Sequence, residues 1–295
     1  MPVHTAKPRN NFKAYQFSLR TLLLAMVFLG CVLGWLAHLR HQSRIAWGPI
    51  RAIKTFSPQA TFIFAPEKSQ VSRASKIEEL LGIDHPNDVE TLVMRYPPKA
   101  PPIESTVGRL QSIEVLIMFS AEGISDDDLM PLSQFPRLQI LRLKDSEITG
   151  TGLVSFANHD ALTILDLSGA KKLSKDAGRA IAAIPCLEVV TLNNCPISEQ
   201  LLDGLCESKT LQCIELRYTN VSDEMIPSLV ALSSLKIIDI CNTAVTAKGI
   251  AALGSIQSLE KVVVCSKDTG LLPGIDELRS ARPDIEVLSV ICDFP

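Results

Sequence analysis

The amino-acid sequence predicts an α/β solenoid, with parallel strands on its concave face and helices on its convex face, preceded by one transmembrane helix. Three observations predict this fold class. An apolar pattern recurs over the last two thirds of the chain, a helical apolar stripe follows each recurrence, and one uncharged apolar run lies near the N-terminus. Regular repeats are typical of solenoids, because each unit buries its apolar side only by stacking on its neighbours.

The repeated segment has the pattern L-x-x-L-x-L, with Leu, Ile, Val or Met at its three apolar positions. Successive starts are separated by 24 to 26 residues, and nine starts keep this register. The starts are Val89, Ile113, Leu138, Leu162, Leu187, Leu211, Leu235, Leu259 and Ile285. Because side chains alternate between the two faces of a strand, this pattern predicts one short parallel strand in each unit.

A turn and a helix are predicted after each strand. The turn holds a small residue, which we expect to bond the turn backbone; we favour this structural role over a metal or redox site at Cys195. A Ser or Thr follows, and its hydroxyl is expected to be the helix N-cap. The small residues are Ser146, Ala170, Cys195, Thr219 and Thr243, and the expected caps are Ser125, Thr149, Ser174, Ser198, Ser222 and Thr246. Acidic residues such as Asp126–Asp128 follow several caps, where they suit the helix dipole.

Residues 21–39 contain no Lys, Arg, Asp or Glu and are predicted to span a membrane. At about 1.5 Å per residue a helix of this length extends roughly 28 Å, close to the hydrocarbon thickness of a bilayer. A cleaved signal peptide, a lipid anchor at Cys31 and a buried core helix are the alternatives. We favour the transmembrane helix because no A-x-A-like cleavage site follows, the run continues past Cys31, and basic clusters flank it.

The charge of the chain is segregated. Residues 1–54 hold eight basic and no acidic residues, so the rest of the chain has 21 basic and 32 acidic residues, a net charge of −11. A basic segment suits anionic lipids, whereas the acidic remainder argues against nucleic acid as a partner. Four basic residues precede the span and four follow it, so the positive-inside rule does not decide the orientation. As a hypothesis, we place the chain in the cell membrane with its repeats outside the cytoplasm.

Four regions are predicted along the chain. They are a basic tail at 1–20, the transmembrane helix at 21–39, a juxtamembrane segment and N-terminal cap at 40–88, and the repeats at 89–295. Within the cap we expect a helix at 50–56, a strand at 61–64 and a helix at 68–81, which would cover the edge of the first unit. The proline-rich stretch 95–103 interrupts the first unit, and a stiff loop is favoured over an SH3-type ligand.

These features resemble those of bacterial membrane-anchored leucine-rich-repeat proteins. The resemblance is carried by Leu235–Ile256, LKIIDICNTAVTAKGIAALGSI, and by the lead-in FSLRTLLL at Phe17–Leu24. It covers about residues 17–30 and 80–295. The unit that starts at Leu162 departs from the family pattern, because Ala170 stands where the pattern has Thr and one extra residue follows. The resemblance implies a solenoid with a membrane lead-in, but it identifies no partner, since one fold hosts many functions.

Side chains between the core leucines are predicted to face the concave side and to form rows across neighbouring strands. One row is Arg142, Asp166, Thr191, Glu215, Asp239 and Val263, and another is Lys144, Ser168, Asn193, Arg217, Cys241 and Cys265. The candidate partner-binding residues are Arg142, Lys144, Asp166, Glu215, Arg217, Tyr218 and Asp239. Mixed charge with few aromatics indicates a protein-binding face, and a merely solvated face is the equal alternative.

No catalytic, metal or cofactor site is predicted. The sequence has no C-x-x-C, no G-x-S-x-G, no H-E-x-x-H and no phosphate-binding glycine loop. We therefore predict a protein that is not an enzyme and that binds a protein partner through its concave face. A self-associating envelope protein that uses the strand at Ile285–Ile291 is the alternative, and an unrecognised enzyme is a more distant one.

Two cysteines occupy the same position on neighbouring predicted strands. Cys241 and Cys265 would have Cα atoms about 5 Å apart, which is within disulfide range. We favour two free thiols, because side chains on neighbouring parallel strands point side by side.

Overall fold

Ten strands form one sheet in which every strand pairs with the next one along the chain. The computed structural model describes residues 53–54, 57–64, 89–108, 110–265 and 269–290, all within a unit that extends from Ala46 to Pro295. The strands are β1 Thr61–Phe64, β2 Val89–Arg95, β3 Val115–Phe119, β4 Ile140–Leu143, β5 Ile164–Asp166, β6 Val189–Thr191, β7 Cys213–Glu215, β8 Ile237–Asp239, β9 Lys261–Cys265 and β10 Glu286–Val290. β1 is antiparallel to β2, and β2 to β10 are parallel, so the predicted parallel α/β arrangement is confirmed.

Helical segments alternate with the parallel strands. They are α1 Ile103–Thr106, α2 Asp126–Leu132, α3 Ala177–Ala182, α4 Glu199–Leu205, α5 Ile226–Val230, α6 Ala247–Ala252 and α7 Leu272–Ala281. Between β4 and β5 the connection is a 3-10 helix, Thr151–Phe156, that begins after Gly150 in a left-handed conformation. This regular alternation of strand and helix is compatible with a solenoid.

Several predicted elements lie outside the described residues. They are the basic tail at 1–20, the membrane span at 21–39 and the helix at 68–81. Of the helix predicted at 50–56 the structure describes residues 53 and 54, which are helical, and the strand predicted at 61–64 is β1. Among the described residues no helix combines the length and the apolar composition that a membrane crossing requires.

The core lies between the sheet and the helices and is mainly aliphatic. The three apolar positions of every unit from Val89 to Leu259 are almost fully buried, as the repeat pattern predicts. In the unit that starts at Leu162, for example, Leu162, Leu165 and Leu167 are all completely inaccessible to solvent. Burial of such side chains contributes roughly 1.5–3 kcal/mol each, which makes this apolar layer the main source of stability.

The last unit departs from the predicted register. The pattern predicts Leu288 and Val290 as core residues, but Leu288 is 36% exposed and pairs with Val263 on the other face of the sheet. Val287 packs against the core instead and pairs with Val262. The offset from β9 to β10 is 25 residues rather than the predicted 26, and a shift of one residue moves every side chain of a strand to the opposite face.

Four of the six predicted helix caps lie at N-cap positions, namely Ser125, Ser198, Ser222 and Thr246. The Ser198 hydroxyl accepts a hydrogen bond from the Leu201 N–H at 3.2 Å, which satisfies one unpaired donor of α4. In the first turn of α2, the Asp128 carboxylate accepts a hydrogen bond from the Ser125 N–H at 3.0 Å. These contacts fix where the helices begin.

The caps predicted at Thr149 and Ser174 are wrong. The N-caps there are Gly150 and Asp176, because each helical segment begins one or two residues later than in the other units. The hydroxyl of Ser174 is buried without a hydrogen-bond partner in the described part of the chain. Thr149 instead bonds to an aspartate of the preceding unit.

That aspartate, Asp126, joins two neighbouring units. Its Oδ2 accepts hydrogen bonds from the N–H of Thr149 at 2.9 Å and from the Thr149 hydroxyl at 2.7 Å. Its Oδ1 accepts the N–H groups of Gly150 at 3.0 Å and Gly152 at 2.8 Å. Asp223 contacts Thr246 of the following unit in the same way. From the sequence we expected Asp126 and Asp223 only to suit the helix dipole. The structure shows that their carboxylates also connect neighbouring units.

Three of the five small residues after the strands bond to backbone carbonyls, as predicted, whereas Ala170 has no donor and the buried Ser146 hydroxyl has no hydrogen-bond partner in the described part of the chain. The hydroxyls of Thr219 and Thr243 donate to the carbonyls of Leu216 and Ile240 in their own units, at 2.7 and 2.9 Å. The Cys195 thiol donates to a carbonyl of the preceding unit, at 3.1 Å. These bonds fix the turns after β6, β7 and β8.

The proline-rich segment after β2 forms a turn. The Ala100 N–H donates to the Pro97 carbonyl at 2.9 Å, and the hydroxyl of Tyr96 donates to the Pro101 carbonyl. Burial raises the pKa of Tyr96 to about 12, with the negative charge of Asp128 acting in the same direction. A hydrogen-bonded turn is not the extended helix that SH3 domains bind, so the structure favours the stiff loop.

Candidate functional site

The helices cover one face of the sheet, and we call the other face the open face. The strand register confirms the first predicted row on this face, and it extends the row at both ends. The row is Ile117, Arg142, Asp166, Thr191, Glu215, Asp239, Val263 and Leu288. The second predicted row lies two residues further along each strand. It ends at Cys265, and the register adds Val290, which pairs with Cys265.

A third row, which the sequence reasoning missed, lies beside these two. It is Val115, Ile140, Ile164, Val189, Cys213, Ile237 and Lys261, all partly exposed. The signal was available, because each residue directly precedes the second apolar position of the repeat pattern. The open face therefore has an aliphatic row beside its polar rows.

Two of the predicted binding residues mainly hold the sheet together. Oδ1 of Asp166 accepts the N–H of Ser168 at 2.9 Å and the Ser168 hydroxyl at 2.6 Å. Oδ1 of Asp239 accepts the N–H of Cys241 at 3.0 Å. Each carboxylate thus satisfies backbone donors at the end of its own strand, where the sheet ladder stops.

Arg217 and Asp239 form a partly buried ion pair with a distance of 2.5 Å between Arg217 Nε and Asp239 Oδ2. The Asp239 side chain is 4% exposed and that of Arg217 is 38% exposed. Burial alone would lower the pKa of Arg217, but the hydrogen bond and the charge of Asp239 outweigh it and raise the pKa. Reversing either charge alone would leave a buried charge without its partner, so such a variant is unsuited to a binding test that leaves stability unchanged.

Asn193 links the two central strands of the open face. Its Oδ1 accepts the backbone N–H of Arg217 at 2.7 Å, and its Nδ2 donates to Glu215 Oε2 at 3.2 Å. Glu215 is therefore also partly engaged within the protein. The centre of the open face is a hydrogen-bonded network rather than a set of unpaired charges.

Arg142 and Lys144 differ from the central residues. Both are exposed, and within the described residues neither side chain forms an ion pair or a hydrogen bond. Phe119, at the end of β3, lies in the same part of the open face and is 47% exposed. Arg95, its partner on β2, is also exposed. Sequence reasoning missed Phe119 and Arg95, which each directly follow the last apolar position of the repeat pattern and which end β3 and β2 in the structure.

Three of these residues, Arg95, Phe119 and Lys144, line a groove at the β2 end of the open face. A cavity of about 570 Å³ is lined by Phe119, Lys144, Arg95 and Asp145, among others. An adjoining cavity of about 420 Å³ shares Arg95 and is lined by Pro97, Pro98 and Glu122. The groove combines basic, aromatic and carboxylate groups.

A second feature missed by the sequence reasoning is a left-handed residue after six of the strands. These residues are Ser120, Asp145, Gly169, Asn194, Tyr218 and Asn242, with φ angles between 50° and 77°. Gly, Asn and Asp adopt this conformation readily, and their recurrence was the signal in the sequence. Ser120 and Tyr218 are the exceptions, and for the bulky Tyr218, with φ of 56°, this conformation costs on the order of 1–2 kcal/mol. Such strain is often kept at functional sites, which supports Tyr218 as a binding residue.

No disulfide bond joins any two of the six cysteines in the described part of the chain, Cys241 and Cys265 included. Burial raises the pKa of Cys195, Cys206 and Cys213 to about 11 in each case. At neutral pH these three side chains are therefore protonated thiols of low nucleophilicity.

The buried His159 has a structural role. Its Nε2 lies 2.9 Å from the Phe135 carbonyl, and its Nδ1 accepts the N–H of Leu162 at 3.1 Å. Both ring nitrogens are thus used within the fold. Among the described residues no group of three or more His, Cys, Asp or Glu side chains could hold a metal ion.

Comparison of the sequence with models of known protein families finds no match. Comparison with curated protein sequences likewise finds no significant match. The role of the open face is therefore argued from its own residues.

Proposed function

We propose that this chain is a membrane-tethered leucine-rich-repeat protein that binds a protein partner through its open face. One observation carries the proposal: the strand register aligns charged and polar side chains in rows on a sheet face that the helices leave uncovered. Stacked repeats offer such rows as an extended and rigid binding surface. The repeat spacing of 24 to 26 residues, with strand, small-residue turn and helix in each unit, supports the repeat class.

The seven predicted binding residues divide into two groups. Arg142, Lys144 and Tyr218 are the proposed contact residues; the first two are exposed and unpaired within the described chain, and the third has a strained backbone. The remaining four hold the surface in shape through the network described above, and they are Asp166, Glu215, Arg217 and Asp239. Fixed supporting residues favour recognition because little side-chain entropy is lost on binding.

A photocrosslinking experiment tests the use of the open face. We expect p-benzoylphenylalanine in place of Tyr218 to give one discrete adduct with another protein when cells that produce the full chain are irradiated. The same probe in place of Val154, which is 63% exposed on the helical side, should give none. Excess chain without the probe should suppress the adduct.

Other products would count against the proposal. An adduct of twice the mass of the chain would favour the alternative, self-association through the C-terminal strand. Equal products from both positions, or no product from position 218, would remove the open face as the binding surface.

The proposed tether is residues 21–39, and the proposed location of the repeats is outside the cytoplasm. We expect a reporter enzyme that is active only outside the cytoplasm to be active when fused after Pro295 and assayed in whole cells. A reporter that is inactive but expressed would place the repeats in the cytoplasm. The even distribution of basic residues around the span makes this measurement necessary.

A further inference from the structure

Three exposed cations lie at the β2 end of the open face. They are Arg95 at the end of β2, Arg142 in β4 and Lys144 just after β4, and none forms an ion pair within the described residues. Elsewhere several exposed cations have a carboxylate partner: Lys172 lies 2.9 Å from Glu147, and Arg179 lies 3.1 Å from Glu207. What distinguishes this region is that three exposed cations without an ion pair among the described residues lie together, which makes it able to receive an external anion.

Phe119 adds an apolar contact to this region. It is the one aromatic residue among the exposed large apolar side chains of the described chain, with 47% exposure. Together with Lys144 and Arg95 it lines the groove of about 570 Å³. Exposed aromatic and arginine side chains in a recess are the residue types that contribute most to binding at protein interfaces.

We propose that this groove binds a short, extended, acidic peptide segment of a protein partner, with an apolar side chain of the segment against Phe119. The inference rests on the proposed function and names the partner chemistry for one end of the same face. Arginine guanidinium groups pair with carboxylates through two parallel hydrogen bonds, and lysine contributes a point charge.

The carboxylates nearby limit the length of the acidic segment. Glu122 and Asp145 line the groove beside the cations, and the chain after residue 54 has a net charge of −11. A long polyanion would meet this negative charge within a Debye length of about 8 Å at physiological salt. A segment with two or three acidic residues matches the three cations and avoids the rest of the surface.

The groove also favours a peptide over an anionic lipid surface. A flat bilayer contacts protruding side chains, whereas part of the basic group here lines a recess between β2, β3 and the turn after β4. A peptide in extended conformation is narrow enough to enter such a recess. Binding should weaken as salt concentration rises, because the cations are exposed.

The test uses the full chain in neutral phosphatidylcholine nanodiscs and a fluorescein-labelled octapeptide that has three glutamates, one central phenylalanine and serine at its other positions. Fluorescence anisotropy should show binding, and the double variant Arg142→Glu with Lys144→Glu should raise Kd at least about tenfold. Phe119→Ala should raise it by roughly threefold. The matched control reverses two exposed cations elsewhere, Lys175→Glu with Lys248→Glu, and should change Kd by less than about twofold.

Each outcome decides the inference. Loss of binding in the groove variant and not in the control supports it, since both variants keep the basic N-terminal segment and have the same net charge. Equal binding by both variants overturns it. Capture of phosphatidylglycerol vesicles without peptide binding overturns it in favour of a lipid surface. Binding of neither probe also overturns it, while the adduct at position 218 still tests the proposed function separately.

Discussion

Replacement of Asp126 by alanine is expected to lower the free energy of unfolding by about 2–3 kcal/mol. The carboxylate accepts four hydrogen bonds from Thr149, Gly150 and Gly152 of the next unit. Its removal leaves these donors to water and weakens the interface between two units, on which a stack of repeats depends. Urea denaturation followed by circular dichroism at pH 7 measures the change.

The matched control for this prediction is the neighbouring residue, Asp127. It is exposed and makes no hydrogen bond or ion pair within the described residues, yet it lies in the same first turn of α2 and so meets the same end of the helix dipole. Asp127→Ala should therefore cost less than about 0.5 kcal/mol. An equal loss in both variants would mean that the dipole, and not the contact between units, accounts for the effect.

The effect of Asp126 should also depend on pH. Burial alone would raise the pKa of Asp126, but the hydrogen bonds from Gly152, Thr149 and Gly150 outweigh it, and the pKa in the folded state is lowered. The stabilisation is then fully present above the pKa of the unfolded chain and is lost as the pH falls through the folded-state value. The difference between wild type and Asp126→Ala should therefore shrink in acid. A difference that stays constant down to pH 2 would contradict the charged contact.

The repeated strands could be predicted from sequence because the apolar positions of the repeat pattern are the residues that the fold buries. Val89 begins β2 and Thr61–Phe64 is β1, as predicted. The last strand could not be placed correctly, because the repeat pattern puts the second core position three residues after Ile285, at Leu288, whereas in this unit Val287 takes it and Leu288 faces the other side. The pairing with β9, which depends on the geometry of the preceding connection, decides between them.

In the candidate site too, one part could be predicted from the sequence and another could not. The row that contains Arg142 and Asp166 follows from strand periodicity and was predicted. The role of Asp166 was not, because its bonds to Ser168 depend on the backbone beyond the strand end. Periodicity gives the face on which a side chain lies, but only coordinates give its hydrogen-bond partner. The binding residues are therefore best sought among side chains that the fold leaves unpaired, such as Lys144.

Gly178→Ala is expected to be strongly destabilising although it adds a single carbon atom, with a cost of about 3 kcal/mol or more. A Cβ atom on Gly178 would lie 1.9 Å from the carbonyl oxygen of Leu201 and 3.0 Å from the nitrogen of Leu205. These are backbone atoms of α4, so no side chain can rotate away. The helices α3 and α4 would have to separate, which opens the interface between their units. Thermal and urea unfolding of the full chain measure the loss.

Gly254→Ala makes the corresponding control, because the same atom is added where the neighbours can move. Its Cβ would lie 3.1 Å from Leu278 Cδ1, the end of a flexible side chain, and 3.7 Å from Cγ of Arg282. Alanine also restricts the unfolded chain, so stability should stay within about 0.5 kcal/mol or rise slightly. If both variants lose the same free energy of unfolding, then the loss of glycine itself accounts for the effect and the close approach of α3 to α4 does not. If only Gly178→Ala is destabilised, the spacing of neighbouring units depends on backbone contact at this position.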